Sequence, residues 1–366
     1  MSTKNILMMS IDDIVALAER GGQFDEAIQR VPELYNPVEQ IEALAKIALI
    51  MMEKGLGDWV WDVIEDAAYI TENSEDSYVK SLGYAIIGAT LFQLGDEDGA
   101  EEYLDMALEE AERIEDPLEK GEVVAEIAHN VAMTGDIDGA LGLFDEAFDL
   151  IAKAEVDYRT KVDELIKIAE IIEKTGDDLP SATAREFYEV AFDIFDKLRV
   201  NQKAAVVEKK IELAKTLENV GLPEIRRAVL EGRYHYALAL IRRKFKGVKG
   251  LIGQLEVALW MKMVNSPPEY KDVVKQALDG IKEAEVLPSN AYSIAFLLTE
   301  LGYLKEALYF VRPITDQTKK DELLQKIALA FSERGEFEAA RKIAGAISDP
   351  LLRAQTLRDI EAIEIG

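Results

Sequence analysis

The chain has 366 residues and no cysteine, which excludes disulfides, thiolate metal sites and cysteine nucleophiles. Its formal net charge is −28, so its surface repels nucleic acid and anionic membranes and attracts basic partners. Apolar residues reach 49%, enough for a continuous core, yet the longest purely apolar run, from Ile47 to Met52, is far short of a membrane span.

The N-terminal segment MSTKNILMMSIDDIV lacks the apolar core of a signal peptide, so a soluble, cytoplasmic protein is expected. Residues 1–40 read as an imperfect helix pair: about Ile11 to Arg20, a turn at Gly21-Gly22, then Phe24 to Leu34. Beyond it one pattern recurs. An Ile, Val or Leu is followed by a small residue, and a Gly stands seven residues after the small one. The copies are Ile47-Ala48 with Gly55, Ile87-Gly88 with Gly95, Ile127-Ala128 with Gly135, and Ile168-Ala169 with Gly176. Leu213-Ala214 with Gly221, Ile294-Ala295 with Gly302, and Ile327-Ala328 with Gly335 continue it. Val257-Ala258 has Asn265 in the Gly place, the usual second choice for a left-handed helix end. Successive spacings are 40, 40, 41, 45, 44, 37 and 33 residues, the signature of a helical repeat. Ala27, Ala100, Ala140, Ala307 and Ala340 each lie five residues after a Gly, where a small side chain lets two helices pack closely.

Trp59 and Trp61 stand at i and i+2 and cannot share one helix face; one is expected in the core and the other near the surface. Residues 81–180 are the most regular and most acidic block. Their carboxylates form no EF-hand loop and read as a solvated face. Residues 1–200 carry 47 acids and 16 bases, whereas 201–250 carry 5 acids and 12 bases. The charge reversal, with glycines at 247, 250 and 253, divides the chain into an acidic repeat block (1–225), a basic irregular link (226–250) and a second repeat block (251–366). The Glu- and Lys-rich, cysteine-free composition is similar to thermophile usage.

The register resembles the tetratricopeptide (TPR) repeat. Gly88, Gly95, Ala100, Leu104 and Ala107 match its pattern, as do Ala128, Gly135, Ala140, Phe144 and Ala147. The resemblance runs over about residues 10 to 360. Most units are near 40 residues rather than about 34, and none has Trp early in its first helix. The closing Pro is displaced to Asn36-Pro37, Asp116-Pro117 and Asp349-Pro350, which serve as helix starts. The resemblance implies an all-α fold: an αα-hairpin solenoid, a right-handed superhelix of about nine helix pairs.

No catalytic motif is present, and the two histidines, His129 and His235, are far apart in sequence. No catalytic residue, metal or cofactor is expected. The resemblance implies a groove lined by first-helix residues: Leu49, Met52, Phe92, His129 and Met133 early in the chain, then Leu259, Met263, Tyr292 and Phe296. Ala45, Ala85, Ala89 and Ala125 fall in the same register. Such an apolar groove in an acidic body suits a basic amphipathic helix or a hydrophobic peptide, unless the protein's own helices fill it. A second candidate is the basic patch of Arg226, Arg227, Arg233, Arg242, Arg243, Lys244, Lys246 and Lys249. It reads as a solvated link, as a contact for an acidic protein or a second copy of the chain, or as a phosphate contact. The function expected is a non-enzymatic protein-binding scaffold. The alternative is a nucleic-acid-associated protein acting through 226–249.

Overall fold

A computed structural model describes residues 10–264 and 268–365. These form twenty α-helices, a 3-10 turn at Val31–Glu33 and no strand, the helical-hairpin fold that the repeat pattern predicts. Asn265 lies outside the described residues. The helices fall into two compact units, one of Met1–Leu179 with Glu186–Glu208, the other of Pro180–Arg185 with Lys209–Gly366. No described helix is long and apolar enough to cross a membrane.

Unit 1 begins with four hairpins: α1 (Ile11–Gly21) with α2 (Phe24–Arg30), α3 (Pro37–Glu53) with α4 (Gly57–Glu72), α5 (Ser77–Leu94) with α6 (Glu97–Ala111), and α7 (Pro117–Met133) with α8 (Ile137–Lys153). Helix α9 (Tyr158–Asp178) follows, tied to α10 (Ser181–Lys197) by a 2.8 Å hydrogen bond from the Tyr188 hydroxyl to Asp177. First helices pack on first helices, in the order α1, α3, α5, α7, α9. The second helices form the other layer, where Phe144 of α8 meets Phe187 of α10 edge to face at 6.2 Å.

Helices α10 and α11 (Asn201–Thr216) each carry residues of both units. In unit 2, α12 (Pro223–Leu230) pairs with α13 (Tyr234–Lys244), and α14 (Gly247–Val264) with α15 (Glu269–Glu283). Then α16 (Pro288–Leu301) pairs with α17 (Leu304–Val311) and α18 (Gln317–Glu333) with α19 (Phe337–Ala344), and α20 (Pro350–Ile365) closes the stack. The first-helix layer here is α14, α16, α18, α20.

Local chemistry explains these boundaries. Asn36, Asp116 and Asp349 accept the backbone N–H two residues on, at 2.9, 2.8 and 2.7 Å, capping α3, α7 and α20 ahead of a Pro that needs no donor. Gly55, Gly95, Gly135, Gly302 and Gly335 end first helices with φ between 76° and 92°, where a side chain would clash with its own carbonyl. Gly176 and Gly221 depart from the pattern. Helix α9 runs through Gly176 to Asp178, because the stop is Pro180, which bars helical backbone at the residue before it. Gly221 instead allows a close approach. Its carbonyl accepts from the Ser181 N–H at 2.9 Å, and a Cβ on it would lie 1.7 Å from the Ser181 hydroxyl.

Each unit surrounds one helix that is buried on nearly every side. In unit 1 it is α5, whose residues 81–85 and 87–91 are all buried; in unit 2 it is α14, buried without a break from Ile252 to Met261. An apolar surface running all round a helix has this meaning.

The stretch 226–250, expected as an irregular link, is neither irregular nor loose. It holds most of α12, all of α13 and the start of α14. Ala228, Val229, Leu238 and Ile241 join the same core as Leu255 and Val257. The limits read from charge, 225 and 251, are therefore not the limits of the compact units. The three glycines misled that reading: Gly247 starts α14, while Gly250 and Gly253 are helical and packed against Phe245 and Val220.

Candidate interaction surfaces

The outward row of unit 1's first-helix layer is set by helical spacing. On α3 it passes Glu42, Lys46 and Leu49; on α7, Glu122, Glu126, His129 and Met133; on α9, Lys167, Lys174 and Asp178. Leu49, His129 and Met133 fall in this row, and all three are half-buried. The row is more polar than expected. Lys46 pairs with Glu42 at 2.7 Å, Lys167 with Glu122 at 3.7 Å, and Lys174 with Glu126 at 3.5 Å. Glu42, Lys46, Glu122 and Glu126 stand one turn from the residues the repeat register picked out, and the same spacing rule could have found them.

His129 is held in one tautomer. The Thr175 hydroxyl donates to the Ile171 carbonyl at 2.8 Å, so its oxygen can only accept from His129 Nδ1, 3.0 Å away. Nε2 then carries the lone pair, 3.9 Å from Asp178 Oδ2. Burial, with help from the Lys174 charge, lowers the His129 pKa to about 3, so the ring is neutral at physiological pH. Two neighbours are shifted as well. Burial raises the Glu126 carboxyl against the pull of Lys174, with further contributions from Glu122 and Glu42. Burial, then the charges of Glu122, Glu126 and Glu119, pushes Tyr78 up to about 12.

Other expected groove residues lie elsewhere. Ala45, Ala85, Ala89 and Ala125 are buried between helices. Met52 is exposed beside the turn, its sulfur 3.7 Å from where a Gly57 Cβ would stand. Phe92 lines a furrow of about 530 Å³ between α6 and α8, with Leu104, Leu143 and Val131, rimmed by Glu97, Glu101, Asp105 and Asp136. In unit 2, Leu259 is buried in the core and Met263 is exposed. Tyr292 and Phe296 do come together, stacked at 6.1 Å. Lys319 and Lys326 lie over their rings at 5.5 and 4.5 Å, so the protein's own cations cover that part of the groove.

The basic patch is thinner than its sequence. Arg226 is only 4% exposed. Arg233 pairs with Glu231 at 2.5 Å and lies over the Tyr236 ring, and Lys244 pairs with Glu224. Arg242 reaches Gln276 at 3.3 Å, and Lys249 sits over the Phe245 ring at 5.1 Å. Arg227, Arg243 and Lys246 are exposed.

The expectation of one core tryptophan in α4 fails. Trp59 is 63% exposed and Trp61 42%, because Val60, Val63, Ile64 and Ala67 supply the buried face of α4. Among the described residues, no group of three or more His, Asp or Glu is arranged to hold a metal ion.

These features define a helical-repeat protein with a polar first-helix face and apolar furrows in the other layer. The chain is 46% identical to Ton1535 from Thermococcus onnurineus NA1, over 97% of this chain and 99% of that one, with a TM-score of 0.86 to its crystal structure. It belongs to the same family as Ton1535. A Rap protein complexed with Competence and Sporulation Factor aligns over 95% of the chain at 13% identity, with a TM-score of 0.29. A circular tandem repeat protein aligns over 96% at 14% identity, with a TM-score of 0.19. No family model matches the chain, and no curated protein matches it.

Proposed function

We propose that the chain is a non-catalytic interaction scaffold, and that a cationic segment of a partner protein lies along the first-helix face of unit 1. The observation that carries this reading is the row itself, in which Leu49, Glu122, Glu126, His129 and Met133 stand half-buried on helices of one layer; burial also shifts the pKa values of Tyr78, Glu126 and His129 there. Ionisable groups that are costly to bury cluster where they meet a ligand. Leu49 and Met133 offer apolar contact in the same row, while the remaining lone pairs of Glu122 and Glu126 accept from Lys or Arg side chains. The acid excess of residues 1–200 steers such a segment towards this unit. The nucleic-acid reading is weaker: Arg226 is buried, and the acid excess of residues 1–200 repels phosphate.

A photo-crosslinking residue placed at Leu49 or Met133, and separately at Glu102 or Asp145 in the opposite layer, tests the proposal in cell lysate. Adducts are expected from the first pair only, and Glu122→Lys should reduce them with the helical circular dichroism unchanged. Equal adducts from both layers, or none, would overturn it.

A further inference from the structure

The large exposed apolar side chains are not spread evenly. Tyr35, just ahead of the second hairpin, and Met52, Trp59, Trp61 and Tyr69 within it lie in one stretch of sequence, and Tyr69 is 70% exposed. Two of the three tryptophans of the chain are among them. Trp61 points to another side of α4, whereas exposed aromatics that share a face, as Trp59 and Tyr69 do, mark contact surfaces. On α4, Trp59, Asp62, Asp66 and Tyr69 recur at helical spacing along one face.

Beside this face a furrow of about 690 Å³ runs between α2 and α4. Its floor is apolar, with Phe24, Ile28 and Leu56, and Trp59 stands at its edge. Its rim is anionic, with Asp25, Asp62 and Asp66. The furrow between α6 and α8 has a similar floor and rim, but its aromatic, Phe92, is half-buried.

We infer that the α2–α4 furrow is a second docking surface, separate from the first-helix face, and that its occupant is a basic amphipathic helix of a partner protein. The apolar stripe of such a helix covers Phe24, Ile28 and Leu56. Its Lys and Arg side chains meet Asp25, Asp62 and Asp66, and one of them lies over the Trp59 ring. Charge complementarity selects this occupant: an acidic helix would set like charges against the rim, and a neutral apolar one would leave the rim carboxylates without partners.

The tryptophans give a direct readout. Trp260 is buried in unit 2, so in a Trp260→Phe variant all tryptophan emission comes from α4. The probe is a synthetic amphipathic Leu/Lys helical peptide, with a Leu/Glu peptide of the same pattern and a scrambled Leu/Lys peptide as controls. The expected result is a saturable blue shift with the Leu/Lys peptide alone, weakened by salt. Asp62→Lys with Asp66→Lys should weaken it about tenfold, while Glu101→Lys with Asp105→Lys leaves it unchanged. An absent shift, equal binding of the Leu/Glu or scrambled peptide, or equal loss in the Glu101/Asp105 variant would overturn the inference. So would a concentration-dependent blue shift without peptide, which would make a second copy of the chain the occupant.

Discussion

Helices α5 and α14 are each buried on nearly every side, and they are buried by different chemistry. Helix α5 has no buried charge. It becomes narrow instead: Gly83 faces Thr71, Gly88 faces the Ala100 carbonyl, and Thr90 turns its hydroxyl back to the Ile86 carbonyl at 2.7 Å. Helix α14 carries Gln254, Trp260 and a carboxylate, Glu256, that is 1% exposed. One Glu256 oxygen accepts from the Asn219 N–H at 2.9 Å and from its side-chain amide at 2.7 Å. The other has no partner among the described residues. The carboxylate ties down the turn after α11, whose N–H groups have left the helix and still need an acceptor. Unit 1 thus closes on a helix by steric fit, and unit 2 by a buried polar contact.

The largest expected difference between the two is pH dependence. Burial raises the Glu256 pKa from 4.5 to about 7, against the hydrogen bonds from Asn219 and Val220 and with the Glu218 charge adding to the rise. A carboxyl raised on folding holds its proton more tightly in the folded chain. Its contribution is complete below about pH 4.5, falls as pH rises towards 7, and is flat beyond. The span is about 3 kcal/mol. The many other acids also titrate, so the measurement is a difference: urea unfolding of the wild type and Glu256→Gln across this range. The wild type should lose ground to the variant as pH rises. Parallel curves would show that Glu256 is ionised at no cost, and the contrast between the units would fall.

The next effect is steric. A Cβ on Gly88 would lie 2.9 Å from Leu104 Cγ and 3.0 Å from the Ala100 carbonyl; on Gly253 it would lie 2.5 Å from a Val220 methyl. Gly88→Ala and Gly253→Ala should each cost about 2 kcal/mol. They should differ in kind. Val220 directly follows Asn219, whose N–H and side-chain amide hold Glu256, so Gly253→Ala should also change the pH profile, whereas Gly88→Ala should lower stability equally at every pH. Identical profiles would mean that the α14 packing and its carboxylate are independent.

The hairpins, the capping Asn and Asp residues and five of the turn glycines were legible because each depends on a few neighbouring residues. Gly176 and Gly221 have the same spacing but were misread, since a Pro four residues later and a Ser forty residues earlier decide their roles. Glu256 is a single acid in an apolar run, and only the fold shows that the α11 turn needs it. The candidate sites were less legible than the fold. Register placed Leu49, His129 and Met133 in one row and brought Tyr292 to Phe296. It could not show that Arg226 is buried, that lysines cover the two rings, or that both α4 tryptophans face outward. Those outcomes depend on which helix packs on which.

The smallest expected effect compares two turns. Gly95 ends α5 at φ 92°, and Gly302 ends α16 at φ 89°. Nothing lies within 4 Å of a Gly95 Cβ, so Gly95→Ala should cost only the left-handed strain, about 1 kcal/mol, with Gly95→Asn nearer the wild type. At Gly302 the strain is the same, but the Arg334 guanidinium donates to the Gly302 carbonyl at 2.7 Å and would stand 2.8 Å from the added carbon. Gly302→Ala should therefore cost slightly more, and Arg334→Ala should remove the excess. If the excess persists without Arg334, the backbone of that turn, rather than the arginine above it, sets the difference.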